Sequence, residues 1–199
     1  MHKTKNLLRD EIKNYYYRGC GTTSPSLSKK MKIWLYQFGM HCVVVYRFGQ
    51  YAGEVYAKNK LLGLLYKIIH RFLDYIIKFI YHVDIDAVNI EPGLYIGHTG
   101  TIIIGPCNIG KNFCVTHNVT IGIGHAMGIE NIPTIGDNVW VGTGSVITGA
   151  ISIGSRVTIS SGSILSRDIP DGCLVGGNPA RVLLRDYDNS KLIIEPPPD

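Results

Sequence analysis

From Ile96 onward aliphatic side chains return every six residues. Ile103, Ile109, Val115 and Ile121 make one run, and Ile135, Val141, Ile147, Ile153, Ile159 and Leu165 make a second. Glycine often follows, as at Gly110, Gly136 and Gly154, and the fifth place of the hexad is small or β-branched at Val119, Val139, Ser145, Val157 and Ser163. A six-residue period marks a parallel β-helix: each hexad supplies one short strand and a turn, and three hexads close a coil of about eighteen residues. The recurring aliphatics then stack inside a prism, and small residues serve the corners, where the backbone turns tightly or φ becomes positive. Fourteen residues separate Ile121 from Ile135 where two hexads take twelve, so the segment 127–134 (MGIENIPT) is expected to leave the coil. A loop on a rigid scaffold is a usual place for ligand contacts. The repeat ends in RDIPDGCLVGGNPARVL, where Pro170 and Pro179 stop the strand pattern.

Before residue 84 the period is helical. Across 60–83, Lys60, Lys67, Arg71, Asp74 and Lys78 fall on one stripe, and Leu61, Leu65, Ile68, Ile69, Phe72, Ile76 and Ile77 cover the rest. The spacing predicts a helix with a wide apolar face. Its regular charges exclude an uninterrupted membrane span, which needs roughly 20 apolar residues. Either the helix packs on its own domain or a neighbouring subunit, or it lies as a basic amphipathic helix in a membrane interface. The expected organisation is a helical region over 1–83, a candidate for peripheral membrane association, a β-helix over 84–184, and a tail over 185–199.

Composition adds modest constraints. With 199 residues, 45% of them apolar and 10% aromatic, the chain can bury a real core. A net charge of +5 suits an anionic ligand or membrane surface, but without a clustered basic patch it does not indicate nucleic acid. Five cysteines, Cys20, Cys42, Cys107, Cys114 and Cys173, contain no C-x-x-C pair, which argues against a disulfide framework or a zinc ribbon and for reduced thiols in cytoplasm. The first residues carry charges without an apolar signal-peptide core, so secretion is not expected.

Two histidines stand out. His98 lies in Gly97-His98-Thr99-Gly100, and His117 takes the third place of the hexad beginning at Val115. If the hexad at Ile96 carries one extra residue, the two imidazoles stack on one outer face of adjacent coils, about 4.8 Å apart by strand spacing. Histidine titrates near neutrality, which suits a general base. His125, beside the looped-out segment, either points at the same pocket or fills space locally. Counted with His98 and His117, it also allows a zinc lyase with three histidines at a subunit interface, but the spacing fits such a site poorly and no group that would orient the ligating imidazoles is evident. A β-helix without activity would leave the paired histidines unexplained.

Three segments carry a family resemblance: DIDAVNIEPGLYIGHTGTIIIG (84–105), VTHNVTIG (115–122) and IPDGCLVGGNPARVL (169–183). With them the chain resembles the hexapeptide-repeat acyltransferases, and within these the serine acetyltransferase-like branch. The resemblance implies a left-handed parallel β-helix, a homotrimer with active sites between subunits, and acetyl-CoA lying in a groove along the solenoid, with no metal. It makes His98 the catalytic base and Asp84 the carboxylate that orients it, with His117 a further catalytic candidate and Asp86 a rival to Asp84 by proximity. For the donor, backbone N–H groups at Gly122, Gly124, Gly142 and Gly144 are candidates to meet the pantetheine and thioester, with Thr143, Ser160 and Gly162 nearby and Arg181 at the nucleotide end. His125, Asn131 and Asp86 are the candidates for the acceptor. Two departures concern that acceptor. The branch has Asp immediately before the catalytic His where this chain has Gly97, and an Arg-His pair in the protruding loop where this chain reads Glu130-Asn131-Ile132-Pro133. From these departures and the basic helix, the expected acceptor is a sugar hydroxyl in surface polysaccharide or glycolipid assembly, with serine O-acetylation as the alternative.

Overall fold

The computed structural model describes residues 2–124, 132–194 and 196. The chain opens with four helices, α1 (His2–Cys20), α2 (Leu27–Tyr36), α3 (Phe38–Lys58) and α4 (Lys60–Tyr81). The α4 N-terminus is capped by the Asn59 side chain, which accepts from the Leu62 N–H at 3.0 Å. At its other end His82 turns left-handed (φ 53°), and the first solenoid strand follows at once. The helix expected over 60–83 therefore stops two residues short, because Val83 already pairs with Ile102 in the sheet.

The remainder is a left-handed parallel β-helix of about five turns. One face stacks Val83–Ile85, Ile102–Ile104, Val119–Gly122, Val146–Thr148 and Ile164–Leu165. A second stacks Asn89–Ile90, Asn108–Ile109, Thr134–Ile135 and Ser152–Ile153. The third stacks Tyr95–Ile96, Cys114–Val115, Trp140–Val141, Thr158–Ile159 and Leu174–Gly177, and Ala180–Leu184 closes it as an antiparallel strand. Ile96, Ile121, Val141, Ile147 and Ile159 are all fully buried in the prism, so the hexad count locates the core.

The structure corrects that count in two places. Ile103 points outward, 46% exposed, while Ile102 and Ile104 on either side are fully buried. Ile104, not Ile103, aligns with Ile121. The turn from Ile96 to Ile104 thus takes eight residues instead of six, and the next, from Ile104 to Ile109, takes five. Two extra residues therefore sit in the corner that carries His98. Ile135 aligns directly with Ile109, so a single hexad, not two, separates it from Ile121, and eight residues are inserted there.

Left-handed backbone at the corners falls on asparagine as well as on glycine. Asn112, Asn118 and Asn138 have φ of 55–58°, and the Asn112 amide donates to Asn138 Oδ1 one coil on. Gly136 and Gly154 serve close stacking instead. A Cβ on Gly154 would lie 2.6 Å from the Asp171 backbone nitrogen, and one on Gly136 would lie 2.7 Å from that of Ser155.

The helices are locked onto the first coil. Arg47 and Glu11 form a fully buried pair at 2.6 Å, and the guanidinium also donates to the carbonyls of Ile90 (2.7 Å) and Glu91 (2.9 Å). At Gly39 the α3 backbone comes so close that an added Cβ would stand 2.0 Å from the Ile96 carbonyl oxygen. The 185–194 segment also returns to the solenoid, where the buried Asn189 donates to the Asn138 carbonyl at 2.9 Å.

Candidate active site

Register brings the histidines together. Ile96, Val115, Val141 and Ile159 stack in sequence on the third face. Two residues beyond each, a corner column therefore runs His98, His117, Thr143, Ser161. The His98 and His117 rings meet edge to face with centroids 6.0 Å apart, a wider and more tilted contact than the strand spacing predicts. The lengthened corner explains this, since its two additional residues carry His98 away from the ladder. His98 is exposed and His117 half-buried. Among the described residues, His117 Nδ1 is buried without a hydrogen-bond partner. Gly100 (φ 144°) closes over this pair, with space for a Cβ only 3.0 Å from that of His117.

The strand leading to His98 is held from behind by α1. The Tyr15 hydroxyl accepts from the Ile96 N–H at 2.9 Å, and burial pushes its pKa well up, so the phenol keeps its proton and faces the Ile96 carbonyl at 3.3 Å. The Tyr15 ring packs on Tyr95, and Arg18 lies 4.0 Å from the same Tyr95 ring. These bracing residues were not among the sequence candidates. A tyrosine and an arginine eighty residues upstream carry no periodic signal linking them to a corner. Thr116 was missed too, although the repeat places it beside His117. Its hydroxyl donates to the Val141 carbonyl (3.0 Å) and accepts from the Thr143 hydroxyl (3.2 Å).

The other candidates are more dispersed. Asp84 stands outward on the first face with its carboxylate 2.9 Å from Lys78 Nζ, which also holds Asp74 at 3.0 Å. Among the described residues no hydrogen bond joins Asp84 to His98. Asp86 lines a cavity of about 370 Å³ between α3, α4 and the first coil, together with His70, Arg71 and Lys78; neither His98 nor His117 lines it. His125 and Asn131 lie outside the described residues.

The expectation that glycine N–H groups await a donor is corrected at three positions. Gly142 donates to the Ile159 carbonyl (2.8 Å), Gly144 to that of His117 (3.2 Å) and Gly162 to that of Thr143 (2.8 Å). Parallel coils use these groups to bond one another, so they are not available to a ligand. Ser160 likewise gives its N–H to Val175 at 2.9 Å. Gly122 and Gly124 border the inserted segment, where Gly122 accepts from Gly149 N–H and Gly124 packs close to Gly149. Arg181 is exposed on the closing strand and lines, with Arg167, a small cavity of about 110 Å³. Cys20, Cys42, Cys107 and Cys173 are free, and burial raises the thiols of Cys42 and Cys107 to about 12. Among the described residues no group of three or more His, Cys, Asp or Glu is placed to hold a metal ion.

Comparison with known proteins follows this geometry. Residues 132–167 match the family described as bacterial transferase hexapeptide (six repeats). A serine acetyltransferase of Helicobacter pylori (strain ATCC 700392 / 26695) is 29% identical over 129 residues, covering 64% of this chain and 70% of that protein. The structure of a serine acetyltransferase from Brucella abortus strain S19 in complex with coenzyme A superposes with TM-score 0.70 at 25% identity, covering 91% of this chain and 68% of that one. A Neisseria gonorrhoeae serine acetyltransferase shares the fold at TM-score 0.70 and 24% identity, over 95% of this chain and 69% of its own.

These similarities overturn the expected sugar acceptor. That expectation rested on one loop, one neighbour of His98 and the basic helix, whereas the similarity to serine acetyltransferases extends over the helical region and the solenoid together. Most of the loop, moreover, lies outside the described residues. Repeat, fold and relatives agree that the chain is similar to the hexapeptide-repeat acyltransferases and, among them, to the serine acetyltransferases.

Proposed function

We propose that the chain is an acetyl-CoA-dependent O-acetyltransferase with L-serine as acceptor. The observation that carries this reading is the His98–His117 pair on an open corner of a solenoid similar to serine acetyltransferases, one of them solved with coenzyme A. In the proposed reaction the acceptor hydroxyl oxygen attacks the thioester carbonyl while His98 takes the hydroxyl proton. The tetrahedral intermediate then collapses with cleavage of the C–S bond, and the imidazolium returns the proton to the departing thiolate. His117 borders the acceptor, and Asp84 is the carboxylate proposed to stabilise the His98 imidazolium. The corner column through Thr143 to Ser161 supports a donor extended along the solenoid, with Arg181 toward its phosphates and Gly122 and Gly124 beside the acyl end.

The hydroxyl protons of Thr116 and Thr143 are already committed within the coil. A homotrimer with its sites between neighbours, as the family resemblance implies, would let a second copy contribute further donors for the developing oxyanion. We propose residues 1–83 as the helical region, 84–184 as the transferase domain and 185–199 as a tail, whose Asn189 donates to the Asn138 carbonyl of that domain. The free thiols of Cys20, Cys42, Cys107 and Cys173 favour a reducing, cytoplasmic setting. The deciding assay follows thiol release from acetyl-CoA with L-serine present and absent. Serine-dependent release that is lost in His98→Ala supports the reading. Release that L-serine does not accelerate removes serine as the acceptor.

A further inference from the structure

The outer side of α4 is an apolar surface that nothing among the described residues covers. Leu61, Leu65, Ile68, Phe72, Tyr75 and Phe79 all point outward, Leu61 at 83% and Phe79 at 71% exposure, while Gly63 and Ile77 on the opposite side are buried against α3. Lys60, Lys67, Arg71 and Lys78 run down one edge of this face and are all exposed. The helix carries a single carboxylate, Asp74, and it is bound to Lys78. The surface continues toward α2, whose Leu27, Met31, Trp34 and Leu35 are also exposed and which has three lysines and no acid. Trp34, His41, Phe38 and Tyr81 form the ring cluster that joins the two helices. No helix among the described residues is long and apolar enough to cross a membrane.

We infer that α4, with the exposed edge of α2, is a docking surface for an anionic lipid bilayer, on which α4 lies flat with its apolar face at the headgroup–acyl boundary. A second copy of the chain is the natural competitor for an apolar face, and the charge pattern disfavours it. In an antiparallel two-fold pairing of this face with itself, the cation edges of both copies fall on the same side, and the one carboxylate of the helix, Asp74, is already held by Lys78, which leaves Lys60, Lys67 and Arg71 of both copies facing one another. An anionic leaflet supplies that missing charge and the apolar depth together. The cation at Lys67 lies 3.7 Å from the Tyr56 ring, which holds it at this edge. The inference does not depend on which acceptor is used.

Co-sedimentation of the full chain with vesicles tests it, comparing phosphatidylcholine alone with equal parts phosphatidylcholine and phosphatidylglycerol. The wild type is expected to pellet with the anionic vesicles and to be released as salt is raised. Leu65→Glu combined with Phe72→Glu, and separately Lys60→Glu combined with Lys67→Glu, are each expected to weaken binding on the order of tenfold or more. All four positions are exposed, so circular dichroism should report an unchanged fold. Equal binding to both vesicle types, or binding that both variants retain, overturns the inference. So does a wild type that ignores vesicles while light scattering shows its mass falling by half in the apolar-face variant, which would assign the surface to a second copy.

Discussion

His98 stands at a corner two residues longer than the repeat requires, and this excess exposes its ring while Gly100 and His117 support it from below. His98→Ala is expected to lower kcat by on the order of 100-fold or more with the fold unchanged, as read by steady-state thiol release and circular dichroism. Retention of near-full turnover would remove its role as base.

At the scale of elements, the helical region and the first coil share one buried ion pair. Burial raises the Glu11 pKa, against the pull of Arg47. Arg47→Met leaves that carboxylate buried without its partner, and urea unfolding at neutral pH is expected to show a loss of about 3–5 kcal/mol. Without Arg47 the Glu11 pKa rises further, so the cost should shrink in acid, where the carboxyl is neutral in both states. The folded form then takes up a proton, and the stability gained below the ordinary glutamate range is lost as pH rises through the raised pKa. A pH-independent loss would contradict this. Between coils, Gly154→Ala forces a Cβ against the Asp171 backbone, and overpacking of that kind is expected to cost roughly 1–3 kcal/mol in a thermal or urea melt. A neutral substitution would show that adjacent coils can separate there.

The molecule as a whole presents an open histidine corner and an uncovered helix face, and the two call for different company. The corner needs a second wall with hydrogen-bond donors, which a neighbouring solenoid can provide. Light scattering is expected to give three times the 22.0 kDa chain mass. An active monomer would refute the shared site. The α4 face needs apolar depth and negative charge, and in a trimer three such helices would bind a bilayer with greater avidity than one.

The amino-acid sequence alone carried the solenoid, because a stacked prism repeats one local environment and so imprints its period on the chain: Ile109 through Leu165 were legible as core, and His98 and His117 as neighbours. It also showed the greasy, cation-edged helix, since helical spacing is local. It misplaced Ile103 and counted an absent hexad before Ile135, because a periodic count cannot tell where an insertion falls between two anchors; only pairing of Ile104 with Ile121 and of Ile135 with Ile109 fixes that. It offered Gly142, Gly144 and Gly162 to a ligand, yet whether an N–H is free depends on the coil stacked beside it. The hold of Tyr15 and Arg18 on the strand before His98, the Lys78 bridge to Asp84 and the Arg47–Glu11 lock were decided by tertiary structure alone. Each joins residues that only the packing of helices on the first coil brings together, and no repeat or motif records a contact made once.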